Sequence, residues 1–175
     1  WEARLSQPEL STIMELADFF DTSVDALLGF EFRDNRLSAQ AARLREYCIA
    51  HDRSGLQEAE KALKKYPHTF DIMYGAANLY FVFATESHDE RLCRRALELM
   101  EGTLVLIAQN TDPRINESVL YGKIAKIRIA LGKTEQALAL LKAHNAGGMF
   151  SDVIALTLAG DLKRAEEAHV YLADA

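Results

Sequence analysis

Apolar residues recur along this chain at steps of three and four, interrupted by short polar or glycine-bearing breaks. Leu10, Ile13, Met14, Ala17 and Phe20 fall on one face of a helix. Ser6-Gln7-Pro8-Glu9 ahead of them reads as a capping box, with Ser6 capping, Pro8 in the first turn and Glu9 reaching back. Asp21-Thr22-Ser23 reads as a turn with a fresh cap, and Val24, Leu27 and Leu28 as a short second helix stopped by Gly29. From residue 34 onward helix follows helix: 35–50, 56–66, 70–85 and 91–107, then 115–131, 134–144, 150–158 and 162–172. The expected fold is all-α.

Paired helices with short turns invite a search for repeats. "ALGKTEQALALL" and "LAGDLKRAEEAHVYL" align, matching Gly132 with Gly160 and Ala137 with Ala165. "SGLQEAEKALKKYP" carries a small residue, an Ala-Leu pair and a closing Pro67. "MYGAANLY" supplies Ala76 and Ala77, small enough for a first helix to approach its partner. Gly55, Ala96, Ala137 and Ala165 are spaced 41, 41 and 28, an irregular version of the tetratricopeptide period of roughly 34 residues. Residues 30–175 thus resemble a degenerate tetratricopeptide-like solenoid of antiparallel helix pairs.

Composition supports helices and narrows the function. Only three prolines and nine glycines occur among 175 residues. No apolar run reaches spanning length, so no membrane partner is expected. Cys48 and Cys93 lack metal or redox spacing and read as buried thiols of a cytoplasmic protein. The net charge of −6 is unevenly placed: residues 1–29 hold Arg4 against six acidic residues, while the rest hold 19 basic and 20 acidic groups. Neither part offers the basic stripe of a nucleic-acid surface.

The opening residues carry a second resemblance. Trp1-Glu2, Ser6, Pro8 and Leu10, then Leu16, Ala17 and Phe20, then Ser23, Val24, Asp25, Leu27, Leu28 and Gly29 stand in a fixed order. That order resembles the C-terminal half of the lambda-repressor-like (XRE family) helix-turn-helix domain. Arg4 departs from it, since the family usually has Gly there. The resemblance implies that residues 1–29 are the remnant of a DNA-binding domain whose recognition helix would precede Trp1. It further implies that the full-length parent binds DNA while this piece does not, and that the body senses an effector or dimerises. Leu10, Ile13, Phe20 and Leu27 would then have packed partly against the preceding helices. The alternative is a tetratricopeptide-like protein–protein adaptor with no DNA-binding role.

Catalysis is not expected, and neither is a cofactor. His51, His68, His88, His144 and His169 show no ligand spacing, so a metal site is not expected either. Acid pairs such as Glu98/Glu101 and Glu166/Glu167 read as solvated helix faces. No P-loop, GxGxxG or GxSxG stretch occurs. "DIMYGAANLYFVF" is apolar nearly all round and reads first as a buried central helix.

A ligand face follows from the solenoid resemblance, in which the first helix of each pair lines a concave groove. Taking Ala77 and Ala125 as crossing residues, equal offsets place Asp71, Tyr74, Asn78 and Phe81 on one helix, and Val119, Gly122, Lys126 and Ile129 on the next. Asn78 and Lys126 would hold the backbone or terminal carboxylate of an extended peptide or protein segment, with Tyr74 as a rigid wall.

Overall fold

Helix-capping and helix-period signals dominate the sequence, and the computed structural model, which describes residues 9–28 and 37–173, is built from helices alone over that range, with no strand among the described residues. The chain divides into two compact units, Trp1–Asn35 and Arg36–Ala175.

In the first unit, α1 (Leu10–Phe19) and α2 (Val24–Leu27) pack on each other. Glu9 stands at the N-cap in extended conformation and its side chain makes no cap bond. Ser6 and Pro8 of the expected capping box lie outside the described residues. The helix ends where Asp21 takes a left-handed φ of 49°, a conformation Asp tolerates better than bulkier residues. Thr22 N then donates to Ala17 O at 2.9 Å, a six-to-one bond that closes the turn. Of the apolar face, Ala17 is buried, whereas Leu10, Met14 and Phe20 are exposed.

The second unit holds α3 (Leu37–Ile49), α4 (Gly55–Lys65), α5 (Phe70–Ser87) and α6 (Glu90–Val105), followed by α7 (Glu117–Ala130), α8 (Thr134–Ala143), α9 (Ser151–Gly160) and α10 (Ala165–Ala173). A 3-10 turn at Ile107–Gln109 precedes α7, and another at Ala146–Gly148 precedes α9. Each helix packs on the next, and α3 also packs on α5. Side-chain caps mark two starts: Asp89 accepts from the amides of Arg91 and Leu92, and Asn116 accepts from that of Val119.

Burial explains the sequence pattern. Phe70, Ile72, Ala76, Ala77, Leu79 and Phe83 of α5 are all buried, so the aromatic-rich stretch is indeed a central helix. They share a core with Ala96 and Met100 of α6 and with Leu120, Ile124 and Ile127 of α7. A second core joins Ala125, Ala137, Leu138, Leu141, Ile154 and Leu158. Of the small residues aligned as repeat anchors, Gly55, Ala96 and Ala137 are buried, whereas Ala165 is exposed and Ala168 is the buried residue of α10. The expected helix 162–172 starts three residues before α10, which begins at Ala165. Among the described residues, no helix is long and apolar enough to cross a membrane. Both cysteines are free thiols, Cys93 buried and Cys48 half-buried.

One polar network ties three helices together. The Tyr80 hydroxyl of α5 donates to Glu60 Oε1 of α4 at 2.8 Å, and Arg95 of α6 donates to the same oxygen at 3.1 Å. Burial, reinforced by the Glu60 carboxylate, pushes the Tyr80 phenol up to about 12. Between its ordinary value near 10 and about 12, the unfolded chain has released the proton and the folded one has not. Its contribution is therefore complete below pH 10 and is lost as pH rises through that interval. Tyr80→Phe is expected to cost about 1 kcal/mol at pH 8, given the partly exposed carboxylate partner. In urea unfolding, the gap between variant and wild type should close from pH 10 to 12; a constant gap would contradict the assignment.

Candidate functional site

A cavity of ≈ 500 Å³ opens in the second unit between α3, α5 and the segment that leads into α7. Two features bring its walls together. Gly75 lies where an added Cβ would sit 3.3 Å from Leu44 Cβ, so glycine lets α3 approach α5 closely. Gln109 anchors the start of α5 from outside: its Oε1 accepts from Phe70 N at 3.0 Å, and its Nε2 donates to His68 O at 3.1 Å. The N-cap residue itself, Thr69, makes no side-chain cap bond. Gln109 thus satisfies one of the amides a helix start leaves open.

The segment 110–116 is fixed by its own hydrogen bonds. Asn110 Nδ2 donates to the carbonyls of Asp112 and Ile115, and Asn110 Oδ1 accepts from Asp112 N. Arg114 closes on Asp112 through its backbone amide and two guanidinium nitrogens. That pairing holds the Asp112 carboxyl down at about 2, with Arg45 adding to the effect. Asp112 is ionised and already engaged.

Three of the residues expected on the ligand face, Asp71, Tyr74 and Asn78, line this cavity together with Arg45 and Cys48 of α3 and Asp112. Asn78 Nδ2 donates to the Tyr74 carbonyl at 2.6 Å, which leaves its Oδ1 to accept a second bond. Lys123 Nζ donates to that oxygen at 2.6 Å and stands 5.4 Å from the centre of the Tyr74 ring. Tyr74 is itself braced by Phe70, whose ring stacks on it at 5.6 Å. Burial pushes the Tyr74 phenol up, partly offset by its hydrogen bond to Asn78. Burial lowers the Lys123 ammonium and raises the Cys48 thiol, and each tempers the other's shift.

The remaining expected residues do not join them. Phe81 is half-buried and packs on the first core. Lys126 is exposed, and Ile129 packs on the second core. Val119 and Gly122 are half-buried, with Gly122 beside the Phe150 ring. Ala77 and Ala125, taken as crossing residues, are both fully buried. Equivalent positions on packed helices, however, sit roughly 8–10 Å and a slant apart. The α7 residue that meets Asn78 is therefore Lys123, almost one turn before its repeat equivalent.

Arg45, Asp112 and Lys123 were not expected from the sequence, yet two of them carry a signal in it. The residues three and four positions from Lys123 are Val119, Leu120, Lys126 and Ile127; those around Arg45 are Ala41, Ala42, Cys48 and Ile49. Neither cation has an acidic neighbour on its own helix face.

The chain matches no protein-family model, no curated protein and no solved structure.

Proposed function

We propose that the second unit is the regulatory portion, effector-sensing or dimerising, of a bacterial XRE-type transcriptional regulator. The observation that carries the reading is the division of the chain into two compact units of different character. The first bears the residue order that resembles the C-terminal half of a helix-turn-helix domain, and the second holds a cavity of ligand size. Sensing is assigned to the face that carries Asp71, Tyr74 and Asn78. A homodimer is the proposed assembly, and Leu156 of α9 and Val170 and Leu172 of α10 are large apolar side chains left exposed for it. Light scattering would read the mass of one chain or two.

In this reading, bases are read by helices that belong to the parent rather than to residues 1–175. The present chain is expected to give no sequence-specific retardation of any promoter fragment at physiological salt. Extending it upstream through the codons before Trp1 should add three helices, the first with a Gln-x-x-Leu-Ala pattern, and confer specific retardation. Retardation by the present chain that is lost on scrambling the site would overturn the proposal. A start codon directly before Trp1 would favour the adaptor reading instead.

A further inference from the structure

The outward face of α9 has charges at its two ends that match each other. Ile154, Ala155 and Leu158 of this helix turn into the second core. Asp152, Leu156, Ala159 and Gly160 fall on the opposite side and are all exposed, Leu156 by 74%. Lys163, exposed as well, stands just past the helix end. The stripe thus runs from an acid, through an apolar centre and two small residues, to a cation. Among the described residues neither Asp152 nor Lys163 enters an ion pair. Asp161, another exposed acid at that end, lies about 140° round the helix from Leu156 and off the stripe.

An isologous contact pairs residue i with j and j with i. A two-fold axis through Leu156 would set two such stripes antiparallel. Asp152 of one copy would then meet the Gly160 end of the other, where Lys163 stands, and the pairing occurs twice. A parallel pair would set acid against acid and cation against cation. Two chains of net charge −6 repel at long range, so a neutral stripe is where they approach at least cost. Helix α10 offers no equivalent: Val170 is exposed there, but the helix carries Glu166 and Glu167 and no Lys or Arg. We propose that the exposed face of α9 is the docking surface for a second copy of this chain, packed antiparallel across Leu156. The proposal deepens the dimerising half of the regulatory reading and rests on it.

Ala159 and Gly160 shape the fit. Nothing stands within 4 Å of where a Cβ on Gly160 would sit, so this end of the face is open to an incoming side chain. The helix is 10 residues long, about 15 Å, so the contact is at the small end of specific interfaces. Association is expected in the micromolar range.

The test is sedentation of the whole 175-residue chain by equilibrium ultracentrifugation from about 5 to 500 µM. The mass should rise from one chain toward two across that span. Leu156→Glu should keep the wild-type melting temperature, because the side chain it replaces is exposed, and should stay at one chain throughout. Asp152→Lys and Lys163→Asp should each weaken the dimer about tenfold, since every reversed charge acts twice. The two reversals combined should restore it to within about twofold of wild type. A single-chain mass for wild type at every concentration would overturn both the docking surface and the dimerising reading. A dimer that survives Leu156→Glu would overturn the α9 surface and leave the dimerising reading standing. Failure of the combined reversals to restore the dimer would overturn the antiparallel pairing.

Discussion

Phe70→Ala is expected to lower the unfolding free energy by about 3–5 kcal/mol, the usual loss when a large aromatic ring is removed from a packed core. The ring is 1% exposed and shares the core of α5, α6 and α7. Domains are stable by only about 5–15 kcal/mol, so the variant should be close to unfolding. Its second effect falls on the cavity. Phe70 stacks nearly parallel to Tyr74, at an interplanar angle of 10°, and supports that ring where it lines the cavity. Phe70→Leu fills much of the volume without restoring the flat contact. It should cost less stability than Phe70→Ala yet still leave the Tyr74 ring without its stacked support. Urea unfolding separates the two effects: a loss below about 1 kcal/mol for Phe70→Ala would show that the ring is not a core element.

What could be read in the sequence and what could not divides along physical lines. Helix positions were legible, because apolar period and breaks are local properties: 70–85 was expected where α5 runs Phe70–Ser87, and 134–144 where α8 runs Thr134–Ala143. The expected helix 91–107 overran α6 by two residues, and the 3-10 turn at Ile107–Gln109 was not foreseen, since nothing in its composition separates it from the end of α6. Part of the cavity lining was also legible. Asp71, Tyr74 and Asn78 occupy one helix, and spacing within a helix fixes which side chains share a face. The partner from α7 was not, because contact between helices depends on their offset and slant, to which the sequence gives no direct access. Lys126 and Lys123 are equally cationic on paper. Only packing decides that the second meets Asn78 while the first faces water. The absence of acids on the helix faces of Lys123 and Arg45 was visible throughout, and it is a property of charge pairing rather than of repeats.

The same Gly→Ala change at two positions should have opposite results. At Gly55, the first residue of α4, a new Cβ would fall 2.5 Å from Tyr47 Cβ and 2.7 Å from Tyr47 Cγ, with Leu79 Cδ2 at 3.0 Å. A Cβ atom is fixed by its own backbone and cannot rotate aside, so α3 or α4 must shift. Overpacking of this kind costs about 1–3 kcal/mol, and the rigidity of the obstacle places Gly55→Ala at the upper end. At Gly102, within α6, the new Cβ would meet the end of the Met73 side chain, its terminal methyl first. That methyl ends a flexible, unbranched chain and can swing away. Replacing glycine inside a helix meanwhile returns up to about 1 kcal/mol of backbone entropy. Gly102→Ala should therefore be neutral or mildly stabilising. For a chain of this size each kcal/mol moves the melting temperature by about 2–4 °C, so the two variants should separate clearly in thermal unfolding. Gly55→Ala also reaches the cavity, because Tyr47 stands on α3 within two residues of Arg45 and one of Cys48. Equal melting temperatures for Gly55→Ala and wild type would mean that α3 and α4 do not meet at Gly55 as closely as the structure places them.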